Sequence, residues 1–299
     1  MKQPFASLVI PTLNRGDFLY NAMVDMLAQD YPAYEIIVVD QSDNTPDNVK
    51  KLTADNSAII RYFNVSFRGL PQARNFGLSN AKGEIIIFID DDIRADKSFI
   101  GNHLKAYAKD PQIGLIAGGI NEPNVSQSKF TGTGVFKKWT ATPIAGFESK
   151  NACYVDHVKG CNFSVQKAVF QSISGIDEQL NIGAALYEEL EFCLRASGNG
   201  FKIYFEPTAR LTHLVASDGG CRVPNDIPKY MYGLAHNRSL VISRHLSFMH
   251  KVSAFGRLFI LGLSYSRAAK SIKPLIKTVQ GCRAGIKAGK SGPKITSCP

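Results

Sequence analysis

Three consecutive carboxylates, Asp90, Asp91 and Asp92, follow an apolar and mostly β-branched run at 85–89 in this chain of 299 residues. The run predicts a strand that is buried on both faces. Adjacent anions repel one another, so a cation, hydrogen bonds or open water must offset their charge. Because such a strand usually ends at the ligand-binding edge of an α/β sheet, the stretch predicts a hard-metal site beside a nucleotide-sized crevice. The alternative is a solvated acidic loop or a helix-capping turn.

The elements that must position these carboxylates alternate in type. Apolar runs predict strands, and apolar residues at helical spacing predict helices. Their alternation predicts a mostly parallel sheet with right-handed crossovers. Asp40 ends the second strand, so we expect it at the same sheet edge as the three aspartates. The predicted strands are 6–10, 35–40, 59–64 and 85–89, and the predicted helices are 17–29, 47–55 and one that ends near 81.

The second half of the chain has weaker periodicity. Residues 121–150 are rich in Gly, Ser, Thr and Asn and contain the single tryptophan, Trp139. We interpret this segment as a long functional loop or a small excursion from the sheet. A helix over 187–197 carries Glu188 and Glu189. The other predicted elements are helices at 97–109 and 167–172, strands at 113–118, 153–158 (continued by 160–165), 202–205 and 210–213, and a helical region after about 224.

Charge is distributed unevenly. The net charge is +10, yet residues 229–299 hold 13 Lys or Arg and no Asp or Glu. Such a block seeks anionic lipid, nucleic acid or an acidic partner, and the plain alternative is a solubilising tail. We favour peripheral contact with an anionic membrane, because Leu275, Ile276, Val279 and Ile286 recur at helical spacing.

The sequence shows neither a membrane span nor a targeting segment. No window holds the roughly 20 apolar residues of a membrane-spanning helix, and the N-terminus lacks the apolar run of a signal peptide. We therefore expect a cytoplasmic protein, held peripherally at the inner face of the cell membrane. The six cysteines form no Cys-x-x-Cys pair, which argues against a zinc site.

Several short motifs together resemble those of one enzyme family. Over about residues 7–213, their order and spacing make the chain resemble the inverting glycosyltransferases of glycosyltransferase family 2. The resemblance implies a GT-A fold, which is an α/β architecture with a Rossmann-like, mostly parallel central sheet flanked by helices. The motifs are SLVIPTLNR at 7–15, VVD at 38–40, ARNFGL at 73–78, FIDDD at 88–92, GCNFS at 160–164, GIDE at 175–178, EELE at 188–191 and His213.

The resemblance also implies a division of the chain. We expect a GT-A domain over 1–225, with a nucleotide-binding half at 1–120 and an acceptor and catalytic half at 121–225. A helical, basic C-terminal extension is expected over 226–299.

Roles for the acidic residues follow from the resemblance. Asp92 and His213 would hold Mn²⁺ or Mg²⁺, and Asp90 would face the ribose. Asp91 would belong to the donor site as a spacer whose side chain turns elsewhere. Glu189 would be the catalytic base, with Glu188 as the second candidate, although the family more often has Asp at the second acid of this motif.

Further matched positions would bind the substrates. Asp40 would read the base, and Arg74 would lie near the base and the phosphates. Trp139 would stack on the acceptor sugar, and Asn162 is a second candidate contact for the acceptor. The turn around the nucleoside would comprise Pro11, Thr12, Asn14 and Arg15.

The implied chemistry is consistent with these residue types. A divalent ion on the diphosphate oxygens neutralises the charge that develops as the bond to the sugar breaks. A carboxylate beside the acceptor hydroxyl removes its proton, and a single displacement inverts the anomeric carbon. Asp40 can accept the imide N–H of uracil or thymine, so a UDP-sugar is favoured and a dTDP-sugar is next, while guanine also offers donors.

The expected partners are a nucleotide-sugar donor and a saccharide or lipid-linked saccharide acceptor in cell-surface polysaccharide or glycan synthesis, and not nucleic acid. Residues 216–222 are expected to close over the donor, with Arg222 reaching the diphosphate.

Two rival functions stay open. A nucleotidyltransferase that makes sugar nucleotides shares the sheet topology and acidic metal ligands, but no Gly-rich, basic triphosphate loop follows the first strand. A non-catalytic nucleotide-binding or nucleic-acid-binding protein needs aromatic residues interleaved with the basic tail, whereas the aromatics there lie mostly at helical, core-like spacing.

Overall fold

The structure of the protein is a computed structural model that describes residues 3–123, 132–216, 219–220 and 226–296. Strands and helices alternate through the first third, as the periodicity predicts. The strands are β1 (Ala6–Thr12), β2 (Tyr34–Asp40), β3 (Ile60–Asn64), β4 (Ile85–Ile89), β5 (Ile93–Ala95), β6 (Ile113–Asn121), β7 (Val135–Lys137), β8 (Thr142–Ile144), β9 (Cys153–Tyr154), β10 (Asn162–Gln166) and β11 (Lys202–His213). The helices are α1 (Gly16–Leu27), α2 (Asp47–Asp55), α3 (Leu70–Ser79), α4 (Phe99–Ala106), α5 (Lys167–Ile173), α6 (Glu188–Gly198), α7 (Ile227–His245), α8 (Phe248–Ala268) and α9 (Lys273–Lys290).

Over the described residues, the central sheet has nine strands in the order β3-β2-β1-β4-β10-β6-β11-β5, with β9 paired to β11. Strands β1 to β4 are parallel, and β11 is parallel to β6, so the predicted mostly parallel sheet is confirmed. Thr12 at the end of β1 pairs with Asp40 at the end of β2. Because neighbouring parallel strands end together, the polar residues that follow β1, β2 and β4 meet at one edge.

Two strand predictions were wrong in connectivity. Strand β10 does not continue β9: it lies antiparallel between β4 and β6, whereas β9 pairs with β11. The chain turns between them, where the N–H of Asn162 donates to the carbonyl of Lys159 over 3.0 Å. The predicted strands 202–205 and 210–213 form one strand, β11, whose register is interrupted after Glu206, because Pro207 has no N–H for the ladder.

The main apolar core lies between the sheet and its helices. Strands β1, β2 and β4 are buried along nearly their whole length, as expected for strands covered on both faces. Met23 and Met26 of α1 are fully buried in this core, which is where their helical spacing places them.

The segment predicted as a long loop at 121–150 contains a β7–β8 hairpin; its residues 124–131 lie outside the described part of the chain. The hairpin packs on the C-terminal helices. A second apolar cluster joins the hairpin to α6, α7 and α8 through Phe136, Ala141, Leu190, Val241, Ile242, Leu246 and Ala254.

The C-terminal helices are docked on the rest of the chain. The side-chain amide of Asn237 on α7 donates to the carbonyls of Leu180 and Leu186. Helix α9 approaches α7 closely at Gly285, where a Cβ would overlap the carbonyl oxygen of His236. The expected boundary between an enzyme domain and an extension at 225 and 226 stays a prediction. No described helix is long and apolar enough to cross a bilayer.

Candidate active site

A cavity of about 340 Å³ opens at the sheet edge where β1, β2 and β4 end. Its lining includes most of the residues predicted for the donor and the metal. The predicted lining residues are Pro11, Thr12, Arg15, Asp90, Asp91, Asp92 and His213. Gly220, from the segment expected to close over the donor, also lines the cavity. The lining residues to which the sequence assigned no role are Leu13, Gln41, Leu70, Ala184 and Leu186.

The Asp91 side chain lines the cavity and is engaged by the turn after β1. Its carboxylate accepts hydrogen bonds from the Thr12 hydroxyl at 2.7 Å and from Nη1 of Arg15 at 3.0 Å. Burial raises the pKa of Asp91 to about 6, against the opposing effects of these two donors. Asp91 therefore positions Arg15, whose Nη2 donates to the carbonyl of Gly219 over 3.2 Å. Asn14 adopts a left-handed conformation, and its N–H donates to the Ser42 hydroxyl.

Asp92 has one engaged and one open oxygen. Oδ2 accepts the N–H of Ala216 at 2.8 Å. Oδ1 lies 3.3 Å from Nε2 of His213, is buried, and accepts no hydrogen bond of ordinary geometry from any described residue. Burial opposes the charged form, but His213, the Ala216 N–H and Arg15 outweigh it and lower the pKa of Asp92 to about 2. The carboxylate is therefore ionised, and its buried Oδ1 lies near the imidazole.

His213 is held by a residue that the sequence did not reveal. Its Nδ1 lies 2.7 Å from Oε1 of Glu122, and Glu122 also pairs with Lys159 at 2.6 Å. Burial disfavours the imidazolium, but Asp92 and Glu122 outweigh it and raise the pKa of His213 to about 9. Glu122 follows strand β6, so it carries the same signal as Asp40 and the aspartate triplet. The prediction missed it because the predicted strand ended at 118.

Asp90, Asp92 and His213 form a candidate cation site. Oδ2 of Asp90 lies 3.9 Å from Nε2 of His213, and the open Oδ1 of Asp92 faces the same nitrogen. Two carboxylates and one imidazole are suitable ligands for Mn²⁺, whereas Mg²⁺ would bind mainly through the carboxylate oxygens. Donor atoms of Asp90, Cys161 and His213 also lie within 4.8 Å of one another. These residues fit a divalent ion, which would displace the proton from His213 on binding.

The acid pair lies at the start of α6, and its two members have different surroundings. Glu188 is completely buried and ion-paired with Arg74. Burial raises the pKa of Glu188, against the effect of Arg74 and with the help of Glu189. The Glu189 side chain is 22% exposed and lies 3.5 Å from Nη1 of Arg74. Glu189 is thus the member that can reach a substrate.

Arg74 connects the acid pair to the aspartate triplet. Its Nη2 donates to the carbonyl of Gly160 at 2.8 Å and lies 3.4 Å from Oδ1 of Asp90. The close approach requires glycine, because a Cβ at Gly160 would overlap the Glu189 carboxylate. Arg74 is 1% exposed. This burial does not support the expected contact of Arg74 with the base and phosphates, since the acids around it draw the guanidinium inward.

Asp40 is placed at the predicted edge but is buried, and it is not among the described residues that line the cavity. Oδ1 accepts the N–H of Ser42 at 2.8 Å. Oδ2 accepts the hydroxyls of Thr45 and Tyr62. These contacts hold the loop after β2, and base recognition by Asp40 stays a prediction.

The two acceptor candidates lie in other settings. Asn162 is fully buried: its amide nitrogen donates to the carbonyls of Gly119 and Ala209, and its oxygen lies 2.9 Å from Nε2 of His103. Because its hydrogen-bonding groups join sheet and helix, acceptor contact by Asn162 is not supported. Trp139 is 57% exposed at the turn of the β7–β8 hairpin. Arg222, expected to reach the diphosphate, lies outside the described residues.

Comparison with known proteins relates the chain to one family. The family profile described as "Glycosyl transferase family 2" matches residues 7–170, which is more than half of the chain. The chain is 25% identical over 270 residues to dolichyl N-acetyl-alpha-D-glucosaminyl phosphate 3-beta-D-2,3-diacetamido-2,3-dideoxy-beta-D-glucuronosyltransferase of Methanococcus voltae, covering 86% of this chain and 80% of that protein. It is 37% identical over 92 residues to GalNAc(5)-diNAcBac-PP-undecaprenol beta-1,3-glucosyltransferase of Campylobacter jejuni, but this match spans only 30% of either chain.

Solved structures show the same fold. A mannosyltransferase from Pyrobaculum calidifontis, in complex with GDP-Man and Mn²⁺, matches with a TM-score of 0.57 at 14% identity over 97% of this chain and 87% of that chain. Residues 1–349 of TarS from S. aureus, in complex with UDP-GlcNAc, match with a TM-score of 0.61 at 15% identity, over 93% of this chain and 79% of that chain. The GT-A fold expected from the sequence is therefore confirmed.

Proposed function

The chain belongs to glycosyltransferase family 2 and is a glycosyltransferase that acts on nucleotide-sugar donors; we propose that it is metal-dependent and inverts the anomeric carbon. The observation that carries this proposal is that Arg74 contacts a carboxylate of the aspartate triplet and a carboxylate of the acid pair of α6. Nη2 of Arg74 lies 3.4 Å from Asp90 of the cation site, and Nη1 of the same guanidinium lies 3.5 Å from Glu189. A donor bound at the aspartates would thus present its sugar toward a partly exposed carboxylate.

The donor diphosphate is proposed to lie in the cavity beside the aspartate triplet. Asp90, Asp92 and His213 would hold Mn²⁺ or Mg²⁺, which, when bound, neutralises the charge that develops on the diphosphate leaving group. Arg15 lines the same cavity and is held 3.0 Å from Asp91 and 3.5 Å from Asp92. Its guanidinium would add a fixed positive charge near the leaving group.

Glu189 is the proposed catalytic base. Its carboxylate is partly exposed, whereas Glu188 is buried against Arg74. Glu189 would remove the proton from the acceptor hydroxyl as this oxygen attacks C1 from the face opposite the leaving diphosphate. The new bond forms as the old one breaks, so the configuration at C1 inverts. Glu188 would keep Arg74, and through it Glu189, in position.

A UDP-sugar is the favoured donor and a dTDP-sugar is next. This preference rests on the family position of Asp40, whose carboxylate is the acceptor that an imide N–H needs; in this structure Ser42, Thr45 and Tyr62 engage it. The lining residue Gln41 is already engaged: its Oε1 accepts the N–H of Gly69 at 2.6 Å. A GDP-sugar is the third option to test.

A lipid-linked saccharide is the proposed acceptor, in cell-surface glycan synthesis. The names of the Methanococcus and Campylobacter relatives include a dolichyl phosphate-linked and an undecaprenol-linked sugar. The basic C-terminal region supports the same proposal, because residues 229–299 carry 13 positive side chains without any acid. We accordingly place the enzyme peripherally at the cytoplasmic face of an anionic membrane.

A donor panel tests the proposed function. The full chain is incubated with Mn²⁺ and UDP-, dTDP- or GDP-sugars without acceptor, and slow release of nucleoside diphosphate is measured. We expect one base to predominate, and we expect EDTA or Asp92→Ala to abolish the release. Glu148→Gln, at an exposed acid outside the cavity lining, is the matched control. Absence of release from every donor, or release that persists in EDTA, would contradict the proposal.

A further inference from the structure

Helix α8 carries an apolar stripe that faces solvent. Its six members are 40–77% exposed: Phe248, Met249, Val252, Phe259, Ile260 and Leu263. At 100° per residue these positions fall within an arc of about 120° on one side of the helix. The opposite side is buried, through Ala254, Leu258 and Gly262. The helix is therefore folded onto the protein by one face and presents a second apolar face outward.

This stripe replaces the apolar surface expected on α9. Of the four α9 residues named from the sequence, Leu275, Val279 and Ile286 are half-buried, and only Ile276 is exposed. Helix α9 packs against α7 and α8, and its buried residues are Pro274, Thr278, Gly281 and Gly285. Val24 and Tyr154 are also exposed, but they belong to α1 and β9, whereas the six stripe residues share one side of a single helix. A cluster of exposed apolar side chains marks an interaction surface.

The single tryptophan extends the stripe. The Trp139 ring, at the turn of the β7–β8 hairpin, lies 4.5 Å from the imidazole of His250 in the first turn of α8. Trp139 is 57% exposed, so the hairpin turn and the start of α8 present apolar surface side by side. Trp is enriched where protein meets the lipid headgroup layer.

The charges that border the stripe select the occupant. Arg257, Arg267, Lys270 and Lys273 are exposed on α8 and the turn to α9, and residues 229–299 contain no acid. A protein partner would have to be acidic at the rim and apolar at the centre. An anionic bilayer offers that combination over its whole area, because acidic headgroups lie above the acyl chains.

We infer that the α8 stripe and Trp139 form a docking surface that lies in the headgroup layer of an anionic membrane. The inference rests on the proposed lipid-linked acceptor and adds where the membrane contacts the protein. The second apolar cluster joins this surface to α6 through Leu190, which follows Glu189. Docking thus holds the helix of the proposed base at a fixed position relative to the membrane that would carry the acceptor.

Vesicle binding by the full chain tests the inference. Vesicles of phosphatidylcholine with phosphatidylglycerol are compared with pure phosphatidylcholine, by co-sedimentation and by the emission of the single tryptophan. We expect binding only to the anionic vesicles, a blue shift of Trp139, and weaker binding at high salt. Unshifted emission without co-sedimentation would overturn the inference.

Matched variants locate the surface. The triple variant Phe248→Ser, Val252→Ser and Phe259→Ser should bind anionic vesicles at least about tenfold more weakly. The control pair Val24→Ser and Tyr154→Ser removes exposed apolar groups elsewhere and should bind like the wild type. Equal binding by the triple variant would overturn the inference. So would light scattering that shows a wild-type dimer dissociated by the triple variant, because the stripe would then be occupied by a second copy.

Charge reversal gives an independent readout. The double variant Arg257→Glu and Lys273→Glu should bind anionic vesicles severalfold more weakly for each reversed charge. The control double variant Lys51→Glu and Lys105→Glu, at exposed lysines of α2 and α4, should bind like the wild type. Equal effects of the two pairs would show that net charge alone drives binding and would overturn the assigned surface. Donor hydrolysis by the wild-type chain without vesicles tests the proposed transferase separately, so either proposal can fail alone.

Discussion

The imidazole Nδ1 of His213 lies 2.7 Å from Oε1 of Glu122, and its Nε2 lies 3.3 Å from Oδ1 of Asp92. A carboxylate behind an imidazole sets which nitrogen is free to bind a cation and strengthens it as a ligand. Lys159 in turn holds Glu122 at 2.6 Å. The proposed metal site is therefore supported by Glu122, directly after β6, and by Lys159, in the segment before β10.

Glu122→Gln is expected to weaken Mn²⁺ binding by about tenfold to a hundredfold, because a neutral amide oxygen still accepts from the imidazole but no longer strengthens it as a ligand by its charge. Electron paramagnetic resonance of free Mn²⁺, with UDP present, measures the affinity. Glu148→Gln, at an exposed acid, is the control. An unchanged affinity in Glu122→Gln would remove Glu122 from the site.

Glu189→Gln and Asp92→Ala are expected to separate the two halves of the reaction. Loss of the base should lower kcat by about 10²–10⁴-fold while donor binding remains. Loss of Asp92 should also weaken metal-dependent donor binding, since it removes the open oxygen of the cation site. Calorimetry measures the binding of UDP in the presence of Mn²⁺, and initial rates measure transfer, so the two variants can be distinguished. Glu84→Gln, at an exposed acid, is the control. Full activity in Glu189→Gln would exclude this residue as the base.

Gly160→Ala is expected to lower kcat by about 10²-fold, because misplacing a reacting group by about 1 Å costs that much. The added Cβ would overlap the Glu189 carboxylate and approach Nη2 of Arg74 to 2.6 Å. At Gly101, within α4, a Cβ would meet nothing within 4 Å, so Gly101→Ala is the matched control. Initial rates of transfer compare the two, and equal rates would show that the Gly160 approach is not needed.

Glu191→Gln is expected to lower the free energy of unfolding by about 3–5 kcal/mol at pH 7, since it breaks a buried ion cluster. Glu191 lies 2.8 Å from Arg195 and 2.6 Å from Arg244 of α7. Burial opposes its ionisation, but His245 and the two arginines outweigh it and lower the pKa of Glu191 to about 2.

The pH dependence of this cluster has a defined sign. The pKa of Glu191 is lower in the folded protein than the value of about 4.3 expected in the unfolded chain. The ionised carboxylate therefore stabilises the fold fully above about pH 4.3, and this stabilisation is lost as the pH falls toward 2. The difference between wild type and Glu191→Gln in urea unfolding should therefore shrink between about pH 5 and pH 2. A constant difference over this range would contradict the shifted pKa, and Glu148→Gln, at an exposed acid, is the control.

The sequence predicted the fold well where chain neighbours are also spatial neighbours. Alternating apolar runs and helical periodicity located β1 to β4 and the helices between them. The same reasoning failed at β10, which inserts between β4 and β6. A local pattern shows that Asn162–Gln166 is a strand, but not which distant strands it joins.

Residue types and chain order by themselves determined that acids end the parallel strands and that Glu188 and Glu189 begin a helix, because strand ends and helical spacing are local properties. Only the tertiary structure decided which of these acids are available. Tyr62 and Thr45 engage Asp40, Thr12 and Arg15 engage Asp91, and Arg74 binds Glu188, whereas one oxygen of Asp92 stays open and Glu189 stays partly exposed. The tertiary structure also made α8, and not α9, the exposed apolar face. The physical reason is that burial and hydrogen bonds depend on partners far apart in the chain, which local patterns do not specify.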